Sequence, residues 1–132
     1  MRNRRIFKIR HFARWARKAG LTDEALCEAV REMAAGLIEA DLGRGLVKKR
    51  IGLPGRGKRG GARTIVATSR GARWFFLLGF AKNEDEDIGQ KEYVQAAELA
   101  RDLLRLSDLG LSRPPWQNYL VEVRCDREDE TR

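Results

Sequence analysis

Histidine occurs once in this chain of 132 residues, at position 11, and cysteine only twice, at 27 and 125. A mechanism that needs a histidine pair or a Cys/His zinc cluster is excluded on that inventory. Cys27 sits in an apolar helical stretch and Cys125 in a charged tail, so the two are expected to build neither a disulfide framework nor a metal site. No window approaches the length of a transmembrane span. The Arg-rich start, Met1 to Arg5, lacks the apolar run and small-residue cleavage site of a secretory signal, and the expected compartment is the cytoplasm. Acid is missing altogether between Asp41 and Glu84.

What is present is cationic and unevenly spread. Lys and Arg number 27 against 19 Asp and Glu, for a net charge of +8. Residues 1–82 hold 20 of the bases and 6 of the acids, residues 83–132 the other 7 and 13. Positive charge concentrated in this way attracts phosphate backbones and releases their counterions, which makes nucleic acid the leading partner class. An anionic membrane fits less well, because the bases sit among Gly and Pro and not along one amphipathic helix. A ribosomal-style basic protein with a merely solvated arginine face is the plain alternative.

At 42% hydrophobic content the chain can build one core. A single domain over residues 1–125 is expected, with 126–132 a disordered tail. Ile6, Phe7 and Ile9 suggest a first strand. Phe12, Trp15, Ala16 and Ala19 recur at helical spacing up to Gly20. Thr22-Asp23-Glu24 opens a second helix, with Leu26, Ala29, Val30, Met33 and Leu37 on one face and an expected end at the Asp41–Gly45 turn. Strands are expected at Leu46–Leu53, Arg63–Ser69 and Trp74–Phe80, with a turn at Arg70-Gly71-Ala72. A third helix runs through Tyr93, Ala96, Ala97, Ala100, Leu103 and Leu104 to about Ser107-Asp108, and Asn118–Val123 adds a short strand. The sum is an α+β domain, its helices on one face of a small, mostly antiparallel sheet.

Gly52-Leu53-Pro54-Gly55-Arg56-Gly57-Lys58 imitates the first seven places of a nucleotide-binding P-loop. The eighth place is Arg59 instead of a hydroxyl, and a strand-like run follows where a helix is required. Gly55, Gly57 and Gly60 fit a dinucleotide fingerprint and fail it for the same reason. What remains is a hairpin loop within a run of seven cations and no acid from Lys48 to Arg63. Like charges crowded together destabilise the fold through self-repulsion, so a plain solvated turn accounts for the glycines and not for the cations.

The Lys-Lys-Arg strand end at 48–50, GRGKRGGAR at 55–63 with a strand behind it, WFFLLGFAKNE at 74–84 and the helix through Leu104 resemble the toxins of the RelE/ParE superfamily, in particular the HigB-like branch of the RelE toxins. The resemblance spans about Phe7 to Leu106 and implies the small RelE-like fold: an N-terminal strand and two-helix hairpin on a twisted, mostly antiparallel sheet, then a C-terminal helix. It also implies the toxin of a toxin–antitoxin pair, a ribosome-dependent endoribonuclease that cuts messenger RNA. The implied partners are mRNA on the ribosome, with ribosomal RNA contacts, and a cognate antitoxin of helix-turn-helix type. No cofactor and no metal are implied.

Metal-free RNA cleavage needs the ribose 2′-hydroxyl deprotonated, the phosphorane charge stabilised and the leaving 5′-oxygen protonated. Cations must carry these roles here. A lysine crowded by cations has a lowered pKa, and arginine clamps phosphate through two donors. By analogy with the family, Lys48 and Arg50 form the base and charge-stabilising pair, Arg63 holds the scissile phosphate and Lys82 contacts phosphate or donates a proton, with the base open among Lys48, Lys58 and Lys82. Lys49, Arg56, Lys58, Arg59, Arg73 and Asn83 are the expected RNA contacts. Trp74 or Phe80 is either a stacking platform or core, and His11 a surface residue at a helix start. Glu84-Asp85-Glu86-Asp87 reads as a solvated helix approach in preference to a two-metal site. The competing functions are a ParE-like inhibitor of DNA gyrase and a non-catalytic RNA- or ribosome-binding module.

Overall fold

The computed structural model describes residues 4–53, 57–81 and 88–125, with the side chains of 57–60 outside the description. The chain runs β1 (Arg5–Ile9), α1 (Arg10–Ala19), α2 (Asp23–Ala34), β2 (Ala40–Gly43), β3 (Leu46–Leu53), β4 (Gly57–Thr68), β5 (Arg73–Ala81), α3 (Gln90–Leu104), α4 (Asp108–Leu111), α5 (Trp116–Tyr119) and β6 (Leu120–Val123). Among the described residues, six strands form one sheet in the order β2-β3-β4-β5-β1-β6. Every pairing is antiparallel except β1 with β5, whose parallel register sets Phe7 against Phe75. The fold is α+β, as the patterning predicts.

The helix starts obey their local chemistry. Thr22 caps α2 by accepting a hydrogen bond from the Ala25 N–H, a contact worth about 1 kcal/mol, and Asp23 and Glu24 stand in the first turn. Gly20 ends α1 in the left-handed conformation at φ 80°. The end of α2 departs from expectation. Gly36, at φ 98°, stops the helix: its N–H donates to the Met33 carbonyl, and the Leu37 N–H reaches back to the Glu32 carbonyl at 2.9 Å. This pair of bonds closes a Schellman motif. Leu37 therefore lies outside the helix and is 58% exposed, and Asp41 to Gly43 belong to an edge strand.

Strand register sorts the side chains by face. Val47 and Val66, Lys49 and Thr64, and Thr64 and Gly79 are cross-strand partners and share one face. Against it lie α1, through Phe12 on Phe76 and Trp15 at Gly79, and α2, through Glu32 beside Lys49. Lys48 and Ile65, Ile65 and Leu78, and Arg50 and Arg63 share the other face. Here α3 packs, with Ala96 and Leu99 across a groove from Leu77 and Leu78, and with Leu104 against Gly45. The expectation of helices on a single face is thus corrected. Trp74, Phe75, Phe76 and Leu77 are all buried in succession because β5 is central and covered on both sides. Phe7 and Phe75 stack at 5.1 Å on the α3 face.

The expected absence of a disulfide is also overturned. Cys27 in α2 and Cys125 just after β6 are bonded, with Cα atoms 5.8 Å apart across 98 residues of sequence. The pairing of β6 with β1 is what brings the end of the chain beneath α2. Among the described residues, no helix is long and apolar enough to cross a membrane. The tail at 126–132 lies outside the described residues.

Candidate nucleic-acid interface

The β3–β4 hairpin fixes the central pair of the site. Arg50 and Arg63 are direct cross-strand partners, and Phe80 stands opposite Arg63 on β5. Lys48 lies two residues from Arg50 on the same face. Directly opposed like charges destabilise a sheet, so this pairing calls for a compensating anion. Glu39 supplies it. One carboxylate oxygen, Oε2, accepts from the Arg50 guanidinium at 3.0 Å and stands 3.6 Å from Arg63 Nε. The Glu39 N–H donates to the Lys48 carbonyl at 2.8 Å, which holds the acid beside β3.

The three groups are half-withdrawn from water, with side-chain exposures of 36% for Arg50, 16% for Arg63 and 25% for Glu39. An arginine held in this way has its guanidinium aimed, and a second arginine beside it can embrace the two non-bridging oxygens of one phosphate. Phe80 is half-buried on the same face, which keeps its ring available to a base, whereas Trp74 is fully buried and donates its indole N–H to the Gly71 carbonyl. Of the two expected stacking candidates, only Phe80 lies on this surface.

Two expected RNA contacts are held by intramolecular partners. Lys49 points to the opposite face, is 5% exposed, and places its ammonium 2.7 Å from a Glu32 carboxylate oxygen and 2.9 Å from the Leu37 carbonyl. Strand alternation dictates this, since neighbours of Lys48 and Arg50 must point the other way. Arg73 donates to the Leu106 carbonyl and to Asp108 Oδ1, the latter at 2.8 Å. It begins β5, seven residues and roughly 20 Å of strand rise from Phe80. Lys82, Asn83, Arg56 and the acidic run Glu84–Asp87 lie outside the described residues, as do the side chains of Lys58 and Arg59. Lys82 directly follows Ala81, which pairs with Ala62 next to Arg63.

Glu39 is the residue that sequence reasoning missed. In the sequence it looks like one more acid trailing an acidic helix. Its one detectable signal is Gly36, which ends α2 early and so brings the following segment alongside β3. The apolar groove on the α3 side, bordered by Ile9, Leu77, Leu99, Tyr119 and Glu92, has no cation on its walls and does not suit a polyanion.

No curated protein matches this chain. The family model described as the RelE toxin of the RelE/RelB toxin–antitoxin system matches residues 4–123, which takes in every strand and helix from β1 to β6. With that span and the α+β fold, the chain belongs to the RelE toxin family.

Proposed function

We propose that this RelE-family toxin is an endoribonuclease that cuts messenger RNA on the ribosome, within the HigB-like branch, and that a helix-turn-helix antitoxin silences it in the cytoplasm. The observation that carries the reading is the side-by-side pair Arg50 and Arg63, tethered by Glu39 on a partly open sheet face. A scissile phosphate seated on the two guanidiniums has its non-bridging oxygens neutralised as charge grows in the phosphorane. A lysine from among Lys48, Lys58 and Lys82 takes the 2′-hydroxyl proton. The 2′-oxygen attacks phosphorus, the bond to the 5′-oxygen breaks, and that oxygen takes a proton from the acid, the role that the family resemblance implies for Lys82. The products are a 2′,3′-cyclic phosphate and a free 5′-hydroxyl, with no redox partner involved. Lys48 and Arg50 act on the β3 side of the phosphate, while Asn83, Arg56, Lys58 and Arg59 serve as contacts to the RNA backbone.

The test is inducible expression with transcript end-mapping. The wild-type chain is expected to arrest growth and leave cut transcripts. Arg63→Ala with Lys82→Ala should abolish both while the thermal midpoint is retained, a loss of at least about 10²–10³ in rate for one electrostatic stabiliser alone. A double variant that still arrests growth and cuts RNA overturns the site. Arrested replication with intact transcripts would replace the reading with gyrase inhibition, and RNA binding without a cut would reduce it to a binding module.

A further inference from the structure

Helix α1 carries a second cationic surface, on the sheet face opposite Arg50 and Arg63. Its sequence, RHFARWARKA, has no acid, and Arg10, His11, Arg14, Arg17 and Lys18 are all exposed. Arg10, Arg14 and Arg17 follow one another at spacings of four and three residues, so they form a single line along the helix, with Lys18 and His11 beside it. The other side of α1 is consumed by the core: Phe12 and Ala16 are buried, and Trp15 covers Gly79. Arg10 donates to the Asn118 carbonyl. Among the described residues, Arg14, Arg17 and Lys18 have no ion-pair partner.

The chemistry of this surface selects its occupant. A protein interface is anchored by buried aromatic or apolar groups, and the outward line of α1 offers none. A membrane surface needs an apolar helix face to insert, and that face is already packed on β5. Single-stranded nucleic acid is held by aromatic platforms between the cations, whereas both aromatics of α1 face inward. What is left is the phosphate backbone of a duplex, which requires cations alone and tolerates a wet contact. Arg10 to Arg17 span about 10 Å of helix axis, long enough to reach consecutive phosphates along one strand of a duplex.

Placement ties this surface to the other one. Phe12 meets Phe76 and Trp15 meets Gly79, so α1 runs alongside β5 toward the strand end where Arg63 and Phe80 pair. We propose that α1 is a second polyanion site that docks the duplex backbone of a folded RNA, while the Arg50–Arg63 face receives a strand around the rim of the sheet. The proposal rests on RNA being the substrate class, and its test reads binding and not cleavage.

The probe is a labelled RNA hairpin with a stem of about 20 base pairs, titrated by fluorescence anisotropy across a salt series. Arg14→Ala/Arg17→Ala/Lys18→Ala removes three exposed charges and introduces only strong helix formers, so the thermal midpoint should stay. The slope of log K against log salt is expected to fall by about two to three units, since each phosphate contact contributes about 0.9. Arg14→Lys/Arg17→Lys, which preserves point charge, should keep the wild-type slope. An unchanged slope in the alanine variant overturns the proposal, as does a loss confined to antitoxin or to anionic vesicles. A chain that cuts RNA with an unchanged slope sinks this surface alone. One that shows the α1-dependent slope but never cuts RNA sinks the cleavage reading and supports the surface.

Discussion

Among the described residues, the Glu39 carboxylate is shared by Arg50 and Arg63, and it offsets their mutual repulsion across the strand pair while aiming both guanidiniums. Glu39→Gln keeps the shape of the side chain and removes its charge. On the proposed reading, cleavage of messenger RNA on programmed ribosomes by this variant should show a lower KM, because the clamp becomes more cationic, and a kcat reduced about tenfold, because the guanidiniums lose their common tether. Unchanged KM and kcat would mean that the tether has no part in the chemistry. Lys49, one residue along, behaves oppositely. Removing it leaves the half-buried Glu32 carboxylate without its cation, and Lys49→Ala should lower unfolding stability by about 3 kcal/mol in denaturant titration. If stability holds and only RNA affinity drops, Lys49 belongs to the interface after all. Lys48 and Lys49 are indistinguishable by residue type, and period-two alternation alone assigns them to different faces.

Elements meet in this fold at a few contacts that admit no substitute. Gly79 is one: a Cβ there would lie 2.7 Å from Trp15 Cη2 and closer still to Cε3. Gly79→Ala must push the indole, and with it α1, off β5, at a cost of about 1–3 kcal/mol that a thermal melt would register. A melt at the wild-type midpoint would show that Trp15 relaxes freely. At the other end of the sheet, Arg5 donates to both oxygens of Glu122 at 2.9 Å, and Arg5 and Arg73 share Asp108, which ties α4 to the sheet. Hydrogen bonds from Arg5 hold the Glu122 carboxyl below its usual range against the opposing effect of burial, and those from Arg73 do the same for Asp108. A carboxyl whose folded pKa is depressed contributes its full stability above the unfolded value and loses it as pH falls through the folded one. Acid should therefore loosen this end of the molecule below the ordinary carboxylate range. Glu122→Gln should flatten the acid limb of a stability–pH curve; an unaltered limb would put the acid sensitivity elsewhere.

The whole molecule is closed by the Cys27–Cys125 bond, which spans 98 residues. A loop of that length, once cross-linked, removes about 4–5 kcal/mol of unfolded-chain entropy by the chain-entropy relation. Reduction, or Cys27→Ser, should lower unfolding stability toward that extent in denaturant titrations with and without reductant, and coincident curves would deny the bond any role. At the same scale, the two cationic surfaces lie on opposite faces of one sheet, with Phe80 and Trp15 on either side of the β5 end.

Much of this was legible in the chain itself. Patterning determines the helices at Phe12 and Leu26, the Thr22 cap, the strand at Leu46–Leu53 and the α+β class, because these follow from local periodicity and capping chemistry. Arg50 and Arg63 are joined in one site at the level of sequence only by the family resemblance, and their direct cross-strand pairing comes from the sheet register. Only the tertiary structure decided which acid joins them, that Arg73 ties down α4, that helices cover both faces, and that Cys27 meets Cys125. Each of these depends on register and on strand order, through contacts between residues far apart in sequence, and no local propensity encodes such distances.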